Sequence, residues 1–269
     1  GVHRALTEAD EGVSIETAPV ADIDWSEAWK ARIVAHELGR LTVTPPWLMG
    51  DRDPATTIVI EPGMAFGTGD HATTRGVVRL LPAVLRVGDV VADLGAGSAV
   101  LAIAAAKLGA SRVYAVELDG EAIPDAEANV ARNGVADRVH VFEADAGALL
   151  PLLAPVRVVL ANIISSVLIE LLPTIAESLD ADGAAIISGI LLEERETMQT
   201  VLTTTGWRIP MKMRRASGGR RRSRGYSGRP SDLSLRRSAG GAAHVCPRRK
   251  RRTPHARAAP RGGGTGRSS

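Results

Sequence analysis

From Thr73 to Met213 the chain alternates, almost without interruption, between helical apolar periods and short β-branched runs. Helix Thr73–Leu85 precedes strand Val90–Leu94, and helix Ala99–Leu108 precedes strand Val113–Glu117. Helix Ala122–Asn133 leads to strand Val139–Glu143, and strand Val156–Ala161 follows. Helix Val167–Leu179, strand Ala184–Ile190, helix Glu193–Thr204 and a possible strand Trp207–Met213 complete the series. Strands separated by helices pair in parallel through right-handed crossovers, so this order predicts an α/β fold with a doubly wound, mostly parallel sheet. Upstream, Gly12–Thr17 reads as a strand and residues 22–38 as a helix, with Asp24 as its N-cap and Glu27 three residues on. Leu41–Thr44 and Thr57–Ile60 read as strands.

Beyond Arg214 the periodicity stops. Of the 33 Lys/Arg, 17 lie at or after Arg214, where Asp232 is the single acid, so the preceding chain holds 16 basic and 29 acidic residues. The net charge of +3 therefore hides an acidic body and a basic tail. Isolated apolar residues among Arg, Gly, Ser and Pro cannot bury enough surface to offset ordering entropy, so residues 214–269 are expected to be disordered. With 45% apolar residues but only 3% aromatics, the core is expected to be aliphatic. No run approaches the roughly 20 apolar residues of a membrane helix, and no basic-then-apolar leader opens the chain. A single cysteine, Cys246, excludes a disulfide framework and a Cys-rich metal site, and no metal is expected. These features predict a cytoplasmic, monomeric protein without membrane partners.

Two turns suggest a ligand. Val90–Leu94 runs into Gly95-Ala96-Gly97 and then a helix, so the glycines allow close backbone approach at the positive end of a helix dipole. The next strand ends in Glu117, 22 residues after Gly95, where doubly wound folds place the acid that holds a ribose diol. A tight βα turn beside a surface acid would read the same way, and the combination is what favours nucleoside binding. A dinucleotide fingerprint wants a third glycine where Val100 stands. Asp93, before the turn, suits a cationic amino-acid end better than a pyrophosphate, and together these point to S-adenosylmethionine.

Upstream of this pair lies Glu61-Pro62-Gly63-Met64-Ala65-Phe66-Gly67-Thr68-Gly69-Asp70-His71-Ala72-Thr73-Thr74. This stretch resembles the signature loop of the methyltransferases that modify large-subunit ribosomal protein eleven. Asp24–Lys30 resembles that family's linker helix, and Pro45-Pro46-Trp47 the segment after it. Leu160–Ile164 resembles its fourth-strand motif and Ser188–Leu191 its fifth-strand end. The resemblance implies a Rossmann-like class I fold that binds S-adenosylmethionine. It also implies transfer of methyl groups to lysine ε-amines and the N-terminal α-amine of a large-subunit ribosomal protein.

By motif position the resemblance implies cofactor contacts from Thr74, Gly95, Gly97, Glu117 and Asn162. It places Phe66, Gly67 and Thr68 over the methionine end, with Asp93 nearby. Asn162 and His71 are the candidate catalytic residues. Asn162 would orient the amine, the lesser alternative being a turn former, and His71 could equally be a structural hydrogen-bonder. Trp25 and Trp29 read as a packing stripe.

The chain departs from the family's pattern at several places. Glu117 replaces the usual Asp, Ala99 replaces the last glycine of the turn, and Glu61 and Ala72 replace Asp and Pro. Residues 1–21 read as a remnant of the N-terminal region, too short for the family's substrate-recognition domain, 22–50 as a linker helix and strand, and 51–213 as the cofactor domain. The family's closing strands after Gly206-Trp207-Arg208 are expected to be replaced by the tail, whose composition resembles a GC-rich gene read out of frame. Two other readings remain at this point: a class I enzyme acting on another amine, and a non-catalytic chain whose basic tail binds RNA.

Overall fold

The structure, a computed structural model, describes residues 30, 33–63, 66–213 and 231–237. The expected strand at Gly12–Thr17, residues 22–29, 31 and 32 of the expected helix with Trp25 and Trp29, and Met64 and Ala65 of the signature loop lie outside them.

Two sheets are present among the described residues. The small one has the order β1 (His36–Leu38), β2 (Leu41–Thr44), β3 (Thr57–Val59). Strands β1 and β2 form a hairpin whose two-residue turn begins at Gly39, with φ +77°. Residues 33–38, expected to close a helix over 22–38, are not helical: the apolar spacing was carried too far, up to a glycine that turns a strand pair instead.

The large sheet is built from β4 (Val90–Leu94), β5 (Arg112–Glu117), β6 (Val139–Glu143), β7 (Val156–Asn162), β8 (Leu179–Ile190), β9 (Trp207–Met213) and β10 (Ser231–Arg237). Its order is β6-β5-β4-β7-β8-β10-β9. The first five pair in parallel, and β10 runs antiparallel to both β8 and β9. The order reverses between β4 and β7, which opens a crevice at their carboxyl ends.

The helices are α1 (Ala72–Val84), α2 (Val100–Lys107), α3 (Ile123–Arg132), α4 (Ala146–Leu153), α5 (Ser165–Ser178) and α6 (Arg195–Thr204). The core lies on both faces of the large sheet. On one face Val158, Leu160, Ala184 and Ile186 meet Leu81 of α1 and Ile103 and Ala106 of α2, with Leu41 and Ile58 of the small sheet in the same cluster. On the other, Val159, Ala161, Ala185 and Ile187 meet Leu150, Leu172, Ile175 and Leu202 from α4, α5 and α6. Adjacent residues of β7 and β8 serve opposite faces, as the two-residue period of a strand requires. Seven of the eight residues of α2 are buried, four of them alanines, so this helix is small-sided where it lies on the sheet.

Two further expectations are corrected. The sheet-closing strands are not lost, because β9 and β10 form an antiparallel pair that completes the sheet beside β8. The stretch Ser231-Asp232-Leu233-Ser234-Leu235 carries a short polar–apolar alternation that the surrounding arginines obscure. The expected disorder of 214–269 thus does not extend to Ser231–Arg237. Helix α4 was not anticipated, since Gly147 and Pro151 argue against a helix, yet Asp145 caps it by accepting from the Ala148 N–H at 2.8 Å. No described helix is long and apolar enough to cross a membrane.

Candidate active site

Sheet register alone brings three of the expected residues level. Leu94 pairs with Val116 on one side and with Ala161 on the other, so the next residues, Gly95, Glu117 and Asn162, stand in one row across β5, β4 and β7. That row borders the crevice where the strand order reverses. A cavity of about 600 Å³ opens there, lined by Phe66, Gly95, Gly97, Glu117 and Asn162 together with Leu118, Asp145, Ile164 and Glu170. Its charged lining residues are Glu117, Asp145 and Glu170, all acidic.

The glycines of the turn are there because nothing larger fits. A Cβ on Gly97 would sit 2.3 Å from the Phe66 carbonyl oxygen, and one on Gly95 would sit 2.4 Å from Ile163 Cγ2. Both have positive φ, +51° and +69°, which glycine adopts without strain. Ala99, two residues beyond Gly97, has φ 62° at the N-cap of α2 and is fully buried. The family's last glycine is therefore replaced where the backbone is left-handed. Ala99 does not line the cavity, so its methyl strains the backbone and does not crowd the cavity.

Glu117 ties the two turns together. Its Oε2 accepts from the Gly97 N–H at 2.8 Å, and its Oε1 accepts from the N–H groups of Leu118 (2.8 Å) and Asp119 (3.0 Å). The carboxylate is thereby held at the cavity wall with lone pairs remaining for a diol. Asn162 donates through Nδ2 to Thr74 Oγ1 at 3.3 Å, while its buried Oδ1 has no hydrogen-bond partner. A buried acceptor left unpaired is costly, which leaves this oxygen with capacity to accept a donor.

Asp93 lies beneath the turn and outside the cavity lining, fully buried. Its Oδ2 accepts from the Ala102 N–H at 2.9 Å and its Oδ1 is unpartnered. Burial pushes the Asp93 carboxyl up to about 7, the Ala102 hydrogen bond pulls it down, and the charge of Glu117 adds to the rise.

The remaining expected residues surround this centre without lining it. Thr74 is buried behind Asn162, and Gly67 is buried against Ser98. Thr68 is half-buried, and His71 is exposed at the start of α1. The His71 Nδ1 lies 2.6 Å from Thr73 Oγ1, and its ring meets the exposed Phe66 ring edge-on at 5.6 Å. Residues that the sequence reading passed over are Asp145, Glu170, Ser98 and Asn129. Asp145 carried a signal, an N-cap residue directly after a strand; Glu170 is one of many helix-surface acids and carried none. No group of three or more His, Cys, Asp or Glu able to hold a metal occurs among the described residues.

A glycine cradle, a strand-end carboxylate and acid-only charges suit a nucleoside with cationic groups; a pyrophosphate would meet like charge. The family model described as ribosomal protein L11 methyltransferase (PrmA) matches residues 3–217. The chain belongs to the ribosomal protein L11 methyltransferase family. A family member named ribosomal protein L11 methyltransferase from Desulforamulus reducens is 40% identical over 199 residues, covering 73% of this chain and 64% of that protein. Another of that name from Thermus thermophilus is 40% identical over 189 residues, covering 70% and 72%. The chain thus spans somewhat less than two thirds of the former relative's length. The crystal structure of a ribosomal protein L11 methylase from Lactobacillus delbrueckii subsp. bulgaricus superimposes with a TM-score of 0.64 at 30% identity, covering 76% of this chain and 99% of that one. The family is one of class I methyltransferases, which fits the Rossmann-like sheet.

Proposed function

We propose that this chain is an S-adenosylmethionine-dependent protein methyltransferase acting on lysine ε-amines and the N-terminal α-amine of large-subunit ribosomal protein L11. The observation that carries the reading is the row Gly95–Glu117–Asn162 along a cavity whose charged lining residues are all acidic. Glu117 would hold the ribose diol, and Gly95 and Gly97 would let the cofactor come against the backbone. Phe66, Gly67 and Thr68 would flank its methionine end, with Thr74 and Asp93 supporting the site from behind.

When bound, S-adenosylmethionine supplies a methyl group already activated on a sulfonium, so the protein's task is alignment. The unpartnered Oδ1 of Asn162 would accept an N–H from the incoming amine and aim its lone pair. Thr74, accepting from Asn162 Nδ2, would keep that amide from rotating. The amine attacks in its neutral form, and the sulfonium charge beside it would disfavour its charged form against the pull of the acidic lining. Solvent would take the released proton; His71, next to Phe66 at the exposed rim, is the side chain best placed to pass it outward. The same reading assigns the protein to the cytoplasm, as a monomer.

The test is mass spectrometry of ribosomal protein L11 incubated with the full chain and S-adenosylmethionine. Mass gains in steps of one methyl, lost in Asn162→Ala, are expected. Methylation of an unrelated amine with none on L11 would leave the fold and cofactor but replace the substrate.

A further inference from the structure

The signature loop is fastened across the Gly-rich turn by two buried side chains outside the cavity lining. Ser98, directly after Gly97, donates its backbone N–H to the Phe66 carbonyl at 2.9 Å and its hydroxyl to the Gly67 carbonyl at 2.7 Å. The Ser98 carbonyl in turn accepts from Asn129 Nδ2 at 3.2 Å. Asn129 Oδ1 accepts from the N–H of Glu61, where the loop begins, at 3.0 Å, and from Arg132 Nη1 at 2.9 Å. Arg132 Nη2 closes the ring on the Glu61 carboxylate at 3.3 Å. Fit is tight on the loop side: a Cβ on Gly67 would lie 2.9 Å from Ser98 Oγ. Phe66 itself is 61% exposed, so among these contacts it is the Ser98 bonds to the backbone that hold its ring at the cavity wall.

We propose that Ser98, backed by Asn129, is a positioning residue that couples the order of Phe66–Gly67 to occupancy of the methionine end of the cofactor site. This rests on the cofactor reading above. The hydroxyl spans the two segments that would grip the cofactor from opposite sides. Removing it leaves the buried Gly67 carbonyl without that donor and loosens the loop, which keeps only the Ser98 N–H bond to Phe66, while the glycine turn below stays in place. The cofactor's adenosine half faces Glu117 and Leu118 and is indifferent to the latch.

That asymmetry supplies the test. In the full chain, Ser98→Ala should weaken S-adenosylhomocysteine about tenfold, the size of one lost buried hydrogen bond, and leave adenosine affinity unchanged. Equal weakening of both would make Ser98 merely a part of the turn's structure, and no change in either would make the latch irrelevant; both overturn the proposal. Should the variant fail to fold, hydrogen exchange of the wild-type chain decides. S-adenosylhomocysteine should slow exchange of the Ser98 N–H well beyond the effect of adenosine, and equal slowing by the two would overturn the coupling. If the wild-type chain binds neither, the cofactor reading itself fails, an outcome distinct from loss of the latch.

Discussion

Ala99 holds the one left-handed non-glycine backbone among the described residues. A Cβ in that conformation costs about 1–2 kcal/mol, while glycine's greater freedom when unfolded takes back about 0.5–1 kcal/mol. Ala99→Gly should therefore stabilise the protein by up to about 1 kcal/mol in urea unfolding. A loss of stability would mean that packing of the buried methyl outweighs the strain. Asp93 presents the opposite balance. Its folded-state value near 7 lies above the ordinary 3.8, so between about pH 4 and 7 the folded protein holds a proton that the unfolded chain has released. The stability this group contributes is complete at low pH and is lost as pH rises through 7. Asp93→Asn, which mimics the protonated form and retains an acceptor for Ala102, should abolish that slope. It should also raise the melting temperature of the ligand-free protein above pH 7. Thermal melts from pH 4 to 9 check this, and an unchanged slope would assign it to other groups. The glycines and Glu117 were legible in the sequence because turn backbone and strand-end chemistry each demand particular residue types. Ser98 and Asn129 were not, since their role exists only where two distant segments meet.

Strand limits in the parallel part of the large sheet were readable almost to the residue, as in Val90–Leu94 and Val139–Glu143, because β-branched runs there are bounded by glycine or charge. Other elements were harder. Helix α4 is apolar throughout and carries Pro151, so periodicity could not separate it from a loop or a strand. Strand β10 is the sharper case, because five alternating residues inside an arginine-rich stretch have no composition signal of their own, and only the vacancy between β8 and β9 selects them. Being paired on both sides, β10 is central, and a proline there removes a ladder hydrogen bond. Leu235→Pro should cost about 1–3 kcal/mol in unfolding free energy, the cost of a buried carbonyl left without its donor. A variant as stable as the parent would show that β10 adds nothing to the folded domain.

The molecule as a whole unites an acidic body with a basic tail, and its cavity shares the sign of the body. Acid-only charges disfavour phosphate-rich ligands in the crevice and suit a cationic one such as a sulfonium, in keeping with membership of a class I methyltransferase family. The crevice follows from topology, which delivers Gly95, Glu117 and Asn162 to one strand-end row, with Gly97, Asp145 and Glu170 also on the cavity wall. Isothermal titration of the full chain with S-adenosylhomocysteine and with NAD tests this most directly. Saturable binding of S-adenosylhomocysteine is expected, weakened by about 1–3 kcal/mol in Glu117→Ala through loss of charge-assisted hydrogen bonds to the ribose, with no heat from NAD. Binding of NAD with none of S-adenosylhomocysteine, or an affinity indifferent to a folded Glu117→Ala variant, would contradict it.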